Sequence, residues 1–317
     1  MKTAVAIIIF NRPDITRRVV DAVARIRPGK LFVIADGPRQ WKAGEAENCL
    51  AARSVIESVD WDCEVLKNYS DINLGVGHRP ATGLRWVFEQ TDAAIVLEDD
   101  CVPHPTFFRY CDELLDRYRD DERVMHISGD NWGFGRRSSS YFFSCYCYSC
   151  GWASWRRAFQ YYDPELRLWP SLRSTSWLLD ILGDPRAVGF WRDRFDLICE
   201  SGVNTHGWDW PWLFACWAHH GLSILPSTNL ITNIGFGDDA THTKSLDDER
   251  AHVPLEAMSF PLVHPDCMVR DVEADQRIFA QVGLRPEPQD LYHRMRRRLS
   301  AALPLPLRRT LALLRSS

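Results

Sequence analysis

Continuous apolar runs alternate with amphipathic stretches through the first 131 residues, and this alternation constrains the fold more than any other feature. The apolar runs predict strands at 4–10, 30–37, 63–69, 93–100 and 123–131. Helical spacing of apolar residues predicts helices between them at 12–26, 44–59, 73–90 and 105–121. Strands that are apolar on both faces are typical of a parallel sheet covered by helices on both sides. We therefore expect an α/β chain with a Rossmann-like, mostly parallel sheet.

Polar residues stand where the predicted strands end. They are Asn11 after the first strand, Asp36 at the end of the second, Glu98–Asp100 at the fourth, and Asp130 with Asn131 at the fifth. Ligands of open α/β sheets bind outside the carboxyl ends of the strands. The sequence therefore predicts a binding site at this edge of the sheet.

The segment AAIVLEDD (93–100) places three carboxylates at the end of a buried strand. Alternation along a strand points Asp99 away from Glu98 and Asp100, but a turn at the strand end lets Asp99 and Asp100 converge on one ligand. Carboxylate oxygens suit Mg²⁺ or Mn²⁺, which fill their other positions with water and phosphate oxygens. A divalent ion on a diphosphate is one interpretation, and a solvated strand end is the other.

The arrangement resembles the GT-A glycosyltransferases, which use nucleotide-diphospho-sugars as donors. Four motifs occur in the order seen in that class: IIIFNRP, the acidic triplet (Glu98, Asp99 and Asp100), GWASWRRAF, and NLITNIGFGDDATHT. The triplet is similar to that of the inverting N-acetylglucosaminyltransferase that starts complex N-glycans. The opening motif resembles family 2 transferases, and the last two resemble a bacterial branch that includes haemolysin-like proteins.

The resemblance covers about the first 245 residues and implies a division of the chain. Residues 1–290 are expected to form the GT-A domain, with a nucleotide-binding half at 1–131 and an acceptor and closing half at 132–250. The basic tail at 291–317 lies outside the resemblance.

The resemblance also implies roles at the metal and donor. Asp100 is expected to bind Mn²⁺ or Mg²⁺ directly, and His242 to complete the metal shell from a closing loop. Glu98 and Asp99 are expected to contact the ribose, the donor sugar or the water ligands of the metal. The remaining donor or acceptor contacts are assigned to Asn11, Arg12, Asp36, Arg79, Trp152, Trp155 and Arg156. For His242 and the two tryptophans, a structural role is the alternative.

Inverting transfer needs a base that deprotonates the acceptor hydroxyl, and a positioned carboxylate serves this purpose. Asp209 lies between Trp208 and Trp210, where desolvation would raise the pKa of its carboxyl and make it a stronger base. Its position before Pro211 and an apolar run is also that of a helix N-cap. Asp130 is the second candidate for the base.

Charge and cysteine content bound the remaining function classes. Seven of the 38 Lys and Arg lie in residues 291–317, which contain no acid, so the rest of the chain is strongly acidic and does not suit nucleic-acid binding. The ten cysteines show no secreted framework, and CYCYSC (145–150) lacks a fourth zinc ligand in a standard spacing. With no predicted signal peptide or membrane span, we expect a cytoplasmic protein with free thiols.

The tail mixes Arg with Leu and Ala, and Pro304 and Pro306 divide it into two predicted helices. A basic amphipathic segment is typical of binding to an anionic membrane surface, and a loosely docked tail is the alternative. Membrane binding would place the protein at the inner face of the membrane, where a lipid-linked acceptor would be available.

These observations predict a metal-dependent transferase that moves a sugar from a nucleotide-diphospho-sugar, commonly a UDP-sugar in the resembling enzymes, to a glycan or lipid-linked hydroxyl. Cell-surface polysaccharide assembly is the expected context. A sugar-phosphate nucleotidyltransferase would need a Gly-rich basic loop after the first strand, where NRPDITRR stands instead. A non-catalytic sugar-binding or membrane-active protein on the same fold is the other alternative.

Overall fold

A computed structural model of the chain describes residues 1–132, 138–203, 207–235 and 253–283. The chain separates into two compact units, Met1–Asp275 and Gln276–Ser317. The first unit contains all strands of the described residues, together with the candidate site, and is described below. Of the second unit, the described residues continue the last helix.

Ten strands are present in the described residues. They are β1 (Ala4–Ile9), β2 (Lys30–Ala35), β3 (Glu64–Tyr69), β4 (Ala93–Glu98), β5 (Cys101–Pro103), β6 (Val124–Ser128), β7 (Tyr141–Ser144), β8 (Trp152–Trp155), β9 (Leu222–Pro226) and β10 (Ile231–Asn233). Eight of them form one sheet in the order β3-β2-β1-β4-β8-β6-β9-β7. β10 pairs with β5 in a separate two-stranded sheet.

Helices connect and cover these strands. They are α1 (Pro13–Ala24), α2 (Glu45–Val55), α3 (Gly75–Gln90), α4 (Pro105–Arg117), α5 (Arg156–Phe159), α6 (Trp169–Leu172), α7 (Trp177–Leu182), α8 (Pro185–Ser201), α9 (Asp209–Ala218) and α10 (Val272–Gly283). A short 3₁₀ turn, Ile56–Ser58, follows α2.

Both faces of the sheet are buried, as the continuous apolar runs predict. Alternate residues of β1 face opposite ways: Val5 and Ile7 join one core cluster, and Ala4 and Ala6 join the other. The first cluster includes residues of α1 and α4, whereas the second includes residues of α3 and α9. The expected mostly parallel sheet with helices on both faces is confirmed.

The strand β8 is the main departure from a simple doubly wound sheet. It lies between β4 and β6 and runs antiparallel to both, with Trp155 opposite Ala93 and Trp152 opposite Val96. Strands from the second half of the sequence therefore complete the sheet begun by the first half. Because β8 is reversed, its carboxyl end lies at the edge opposite to the carboxyl end of β4.

The small β5/β10 sheet covers the end of β4. Its register pairs Cys101 with Asn233, and the Ile234 amide donates to the carbonyl oxygen of Asp100 at 2.8 Å. Gly235 packs so closely that an added Cβ would collide with the Asp100 carboxylate. Ile234 and Gly235 therefore hold both the backbone and the side chain of Asp100 in place.

Within the described ranges, the chain contains no helix that is both long and apolar enough to cross a lipid bilayer.

Candidate functional site

A cavity of about 580 Å³ opens at the carboxyl ends of β1, β2 and β4. Parallel strands bring these ends to one edge of the sheet, which is the edge that the polar residues predict. The lining residues come from Ile8–Ile15, from the segments after β2 and β3, from the start of α3, and from Glu98, Asp99 and Trp208. Four of the predicted site residues (Asn11, Arg12, Asp36 and Arg79) share this cavity with the first two acids.

The positive charge beside the acidic triplet is the guanidinium of Arg12. Its Nη2 lies 2.9 Å from Oδ2 of Asp100 and also bonds Oδ1 of Asp99. β4 ends at Glu98, so the chain turns and both aspartates reach the same group, as the sequence predicts. The Phe10 amide donates to the other oxygen of Asp99 at 3.3 Å.

The triplet carries more negative charge than Arg12 can balance. Burial, with the nearby charges of Asp100 and Asp209, raises the pKa of Glu98 to about 8. Burial also raises the pKa of Asp99 to about 6, against the lowering effect of Arg12. For Arg12, burial acts to lower the pKa, but the two aspartates outweigh it and raise the pKa overall. A further cation would relieve this repulsion.

The donor set matches a Mg²⁺ or Mn²⁺ ion bound together with phosphate. Among the described residues, no three His, Cys, Asp or Glu side chains converge as a complete metal cage. Such a cage is not required, because Mg²⁺ is usually held by one or two carboxylates plus substrate phosphates and water. Asp100, with an exposed side-chain fraction of 14%, and Asp99 are the two carboxylates that could serve as such a pair.

The carboxylate of Asp36 organises the cavity wall. Oδ1 accepts from the amides of Gly37 and Leu74, and Oδ2 accepts from the Gly75 amide and from Nδ2 of Asn73, at 2.9 to 3.1 Å. These four bonds use the usual accepting capacity of a carboxylate. Asp36 therefore holds the start of α3 against the end of β2, and a direct bond from it to a nucleobase is not supported.

Glu45 is a buried acid that the sequence analysis did not identify. Its side chain has no exposed surface, and it accepts from Nδ2 of Asn11 at 2.8 Å. The amide of Arg39 donates to it at 2.7 Å, Nε and Nη2 of Arg39 bond both of its oxygens, and Nζ of Lys42 lies 3.5 Å away. The hydrogen bonds from Arg39 lower the pKa of Glu45 to about 2.

Arg39 and Lys42 line the cavity on the side of α2. Both belong to GPRQWK (37–42), which directly follows β2 at the edge where ligands bind. Two cations directly after a strand at this edge are a sequence signal for additional residues of the binding site.

Trp208 links the cavity to the predicted base. Its Nε1 donates to Oε1 of Glu98 at 3.0 Å, and its ring stacks on Trp152 with centroids 5.2 Å apart. Asp209 follows immediately and is the first residue of α9. A helix does begin here, but its N-cap is Trp208 and not Asp209. The charge of Asp209 acts on Glu98.

Asp130 lies at the same edge of the sheet, beyond the end of β6. The residue is 1% exposed, and neither carboxylate oxygen bonds any residue of the described chain. Burial raises the pKa of Asp130 far above its ordinary value, although its own amide and Trp132 act in the opposite direction. A carboxyl that holds its proton is poorly suited to act as a base.

Three predicted sugar contacts lie elsewhere. Trp152 is fully buried in the core between β4 and β6, stacked on His126 as well as Trp208. Trp155 is also buried, and Arg156 pairs with Asp92 at 3.0 Å, beside the start of β4. The antiparallel course of β8 carries Trp155 and Arg156 to the edge opposite the cavity. We withdraw the sugar-binding role for all three.

Arg79 lines the cavity, but most of its N–H groups donate to residues of the sheet. Nε donates to the Ala35 carbonyl at 3.1 Å, Nη2 bonds the carbonyl and side chain of Asn68, and Nη1 lies 3.5 Å from Thr82 Oγ1. Burial lowers the pKa of Arg79. These bonds join β2, β3 and α3, so its main role is structural and the expected diphosphate contact is not supported. The predicted ligand His242 and the basic tail lie outside the described residues.

Comparisons with known proteins give no family assignment. No family model matches the chain, and no curated protein matches its sequence. One solved structure that aligns with it is UDP-glucose pyrophosphorylase complexed with UDP-glucose, with 9% identity and a TM-score of 0.30. The alignment covers 51% of this chain and 79% of that one. Because so loose an overlap carries no argument, the fold assignment depends on the strand order itself.

Proposed function

We propose that this chain is a metal-dependent glycosyltransferase that moves a sugar from a nucleotide-diphospho-sugar to an acceptor hydroxyl, with inversion. The observation that carries the proposal is the convergence of Asp99 and Asp100 on Arg12. Arg12 and Asp99 line the cavity together with Asp36 and Glu98. This is a combined cation and anion site at the edge of the sheet where α/β proteins bind nucleotides.

The acids and Arg12 have complementary tasks. Asp100, with Asp99, would hold Mn²⁺ or Mg²⁺, and the bound ion would supply positive charge that neutralises the departing diphosphate. Arg12 balances the two aspartates when no ligand is bound, and its guanidinium can donate to phosphate oxygens that enter the cavity. Trp208 holds Glu98 in place through a hydrogen bond.

Asp209 is the proposed base. Its position at the first residue of α9, directly after the cavity residue Trp208, supports this role. Its carboxylate would take the proton of the acceptor hydroxyl as that oxygen attacks the anomeric carbon. Asp130 is a weaker candidate, because burial raises the pKa of its carboxyl well above the ordinary value and so disfavours the charged form that a base needs.

The substrates follow from the resemblance and the tail. We propose a UDP-sugar as donor and a glycan or lipid-linked acceptor in surface polysaccharide assembly, with residues 291–317 binding an anionic membrane surface from the cytoplasm. His242 is proposed to complete the metal shell.

Product analysis tests the reaction class. The purified full chain is incubated with Mn²⁺ and a panel of nucleotide-diphospho-sugars, with and without simple sugar acceptors, and the products are resolved by mass spectrometry. The proposal expects release of a nucleoside diphosphate and transfer of the sugar to a hydroxyl or to water.

A nucleotidyltransferase would instead form a nucleotide-diphospho-sugar and pyrophosphate from a nucleoside triphosphate and a sugar phosphate. That outcome would replace the transferase assignment. Binding of the donor without any turnover, across the whole panel, would favour the non-catalytic alternative.

A further inference from the structure

Charged groups lie on two sides of the cavity. Glu98 and Asp99 lie at the end of β4 beside Arg12, whereas Arg39 and Lys42 follow β2, with β1 between the two strands. If the diphosphate and its cation lie at the acids, as the proposed function requires, the nucleoside extends toward the wall of Arg39 and Lys42. The inference below rests on that proposed function.

Arg39 is held in a fixed position. Nε and Nη2 bond Glu45, and its Cζ lies 5.5 Å from the centroid of the Phe10 ring, which also lines the cavity. Nη1 makes no hydrogen bond to any residue in the described ranges, and the side chain is 33% exposed. The guanidinium can therefore present donors to a ligand without rearranging.

Acceptors on the same wall are already in use. Asp36 receives four hydrogen bonds, and Glu45 is bonded by Asn11, Arg39 and Lys42. The remaining carboxylate of the lining, Asp14, belongs to α1, and Asn48 offers an amide that can donate or accept. The charged groups that face a ligand on this wall are thus donors.

We infer that Arg39, assisted by Lys42, selects donors whose nucleobase presents a carbonyl oxygen at position 4, as uracil does, over donors that present an amino group there, as cytosine does. A carbonyl accepts from a guanidinium or ammonium group. An amino group in its place would face a second donor and lose its hydrogen bond to water without replacement.

The test compares UDP and CDP by isothermal titration in Mn²⁺. Their bases differ at position 4 and at the adjacent ring nitrogen, which carries a proton in uracil and none in cytosine. The inference predicts that the wild-type chain binds UDP about tenfold or more tightly than CDP. Arg39→Gln should reduce that ratio to about threefold or less, while the affinity for pyrophosphate changes by less than about threefold.

A matched control is available in Arg123. Its amide, Nε and Nη2 bond Asp121 as those of Arg39 bond Glu45, but it precedes β6, at the opposite edge of the sheet. Arg123→Gln should leave the UDP to CDP ratio unchanged. If Arg39→Gln fails to fold, Lys42→Gln, which leaves the bonds between Arg39 and Glu45 in place, replaces it and should also lower the UDP to CDP ratio.

Equal affinities for UDP and CDP in the wild-type chain would overturn the inference and leave the proposed function intact. A UDP preference that survives Arg39→Gln, or Lys42→Gln where that variant replaces it, would also overturn it. If neither nucleotide nor pyrophosphate binds in Mn²⁺, the proposed function and the inference fail together.

Discussion

Nη2 of Arg12 lies 2.9 Å from Oδ2 of Asp100, so the residue after the first strand neutralises an acid that follows the fourth. Both carboxylates that bond Arg12 are largely buried, and Asp99 is the more buried of the two. Arg12, Asp99 and Asp100 therefore form an ion network in which each charge has a partner. A substrate with a diphosphate and a divalent cation offers new partners to both sides of that network.

Asp100→Asn should abolish turnover while preserving the fold. The amide keeps the shape of the side chain but removes the charge that would hold a cation, so we expect kcat to fall by about 100-fold or more. The melting temperature should change by only a few degrees. Asp92→Asn is the matched control, because Asp92 precedes the same strand and its side chain is 93% exposed. Equal activity of both variants would refute the role of Asp100.

Arg12→Gln should destabilise the ligand-free protein by about 1–3 kcal/mol, because Asp99 would lose its main partner in a buried position. The same change removes a competing cation, so Mn²⁺ alone should raise the melting temperature more in the variant than in the wild type. Affinity for a nucleoside diphosphate should fall. A thermal-shift titration with Mn²⁺ measures both the loss of stability and the rise in melting temperature. A smaller Mn²⁺-induced rise in the variant than in the wild type would contradict the account.

The two candidate bases can be separated by isosteric changes. Asp209→Asn should lower kcat by a factor of about 100 or more, with the affinity for UDP changed by less than about threefold. Asp130→Asn should keep turnover within about threefold, because burial raises the pKa of that carboxyl and so disfavours its charged form. The reverse pattern in steady-state kinetics would transfer the role of base to Asp130.

Acid should weaken the fold through His126. Burial lowers the pKa of this side chain from 6.5 to about 3, and Trp212 Nε1 donates to its Nδ1 at 3.0 Å. Between about pH 3 and pH 6.5 the unfolded chain therefore binds a proton at His126 that the folded chain does not. The contribution of His126 to the free energy of unfolding is lost progressively as the pH falls below 6.5. The slope approaches about 1.4 kcal/mol per pH unit.

His126→Gln isolates that contribution, because glutamine can still bond the Tyr148 carbonyl and Trp212. Urea unfolding between pH 4 and pH 7 should show a gap between wild type and variant that narrows on acidification. A gap that stays constant across this range would show that His126 titrates normally in the folded state.

The first half of the fold could be predicted because each strand is a continuous apolar run and each helix has its own periodicity. The insertion of β8 between β4 and β6 could not be predicted from the sequence. WASW (152–155) is four residues long and wholly buried, so its sequence shows neither alternation nor direction. Its antiparallel direction depends on the free edge of β4 with which it pairs, and tertiary packing determines that pairing.

The site was predictable to the extent that strand ends specify it. Asp99, Asp100 and Arg12 converge because β1 and β4 are parallel neighbours. The role of Glu45 was not predictable, because an acid at the start of α2 reads as a favourable first-turn residue on an exposed helix. Its burial beneath Asn11, Arg39 and Lys42 arises only when α2 packs beside α1.

Calorimetric titration of UDP with and without Mn²⁺ tests the central claim most directly, because the cavity, the acids and the cation all contribute to it. The account predicts that Mn²⁺ tightens UDP binding to the wild-type chain by about tenfold or more. It also predicts that Asp100→Asn removes this difference. UDP affinity that is the same with and without Mn²⁺, or the same Mn²⁺ dependence in Asp100→Asn, would contradict it.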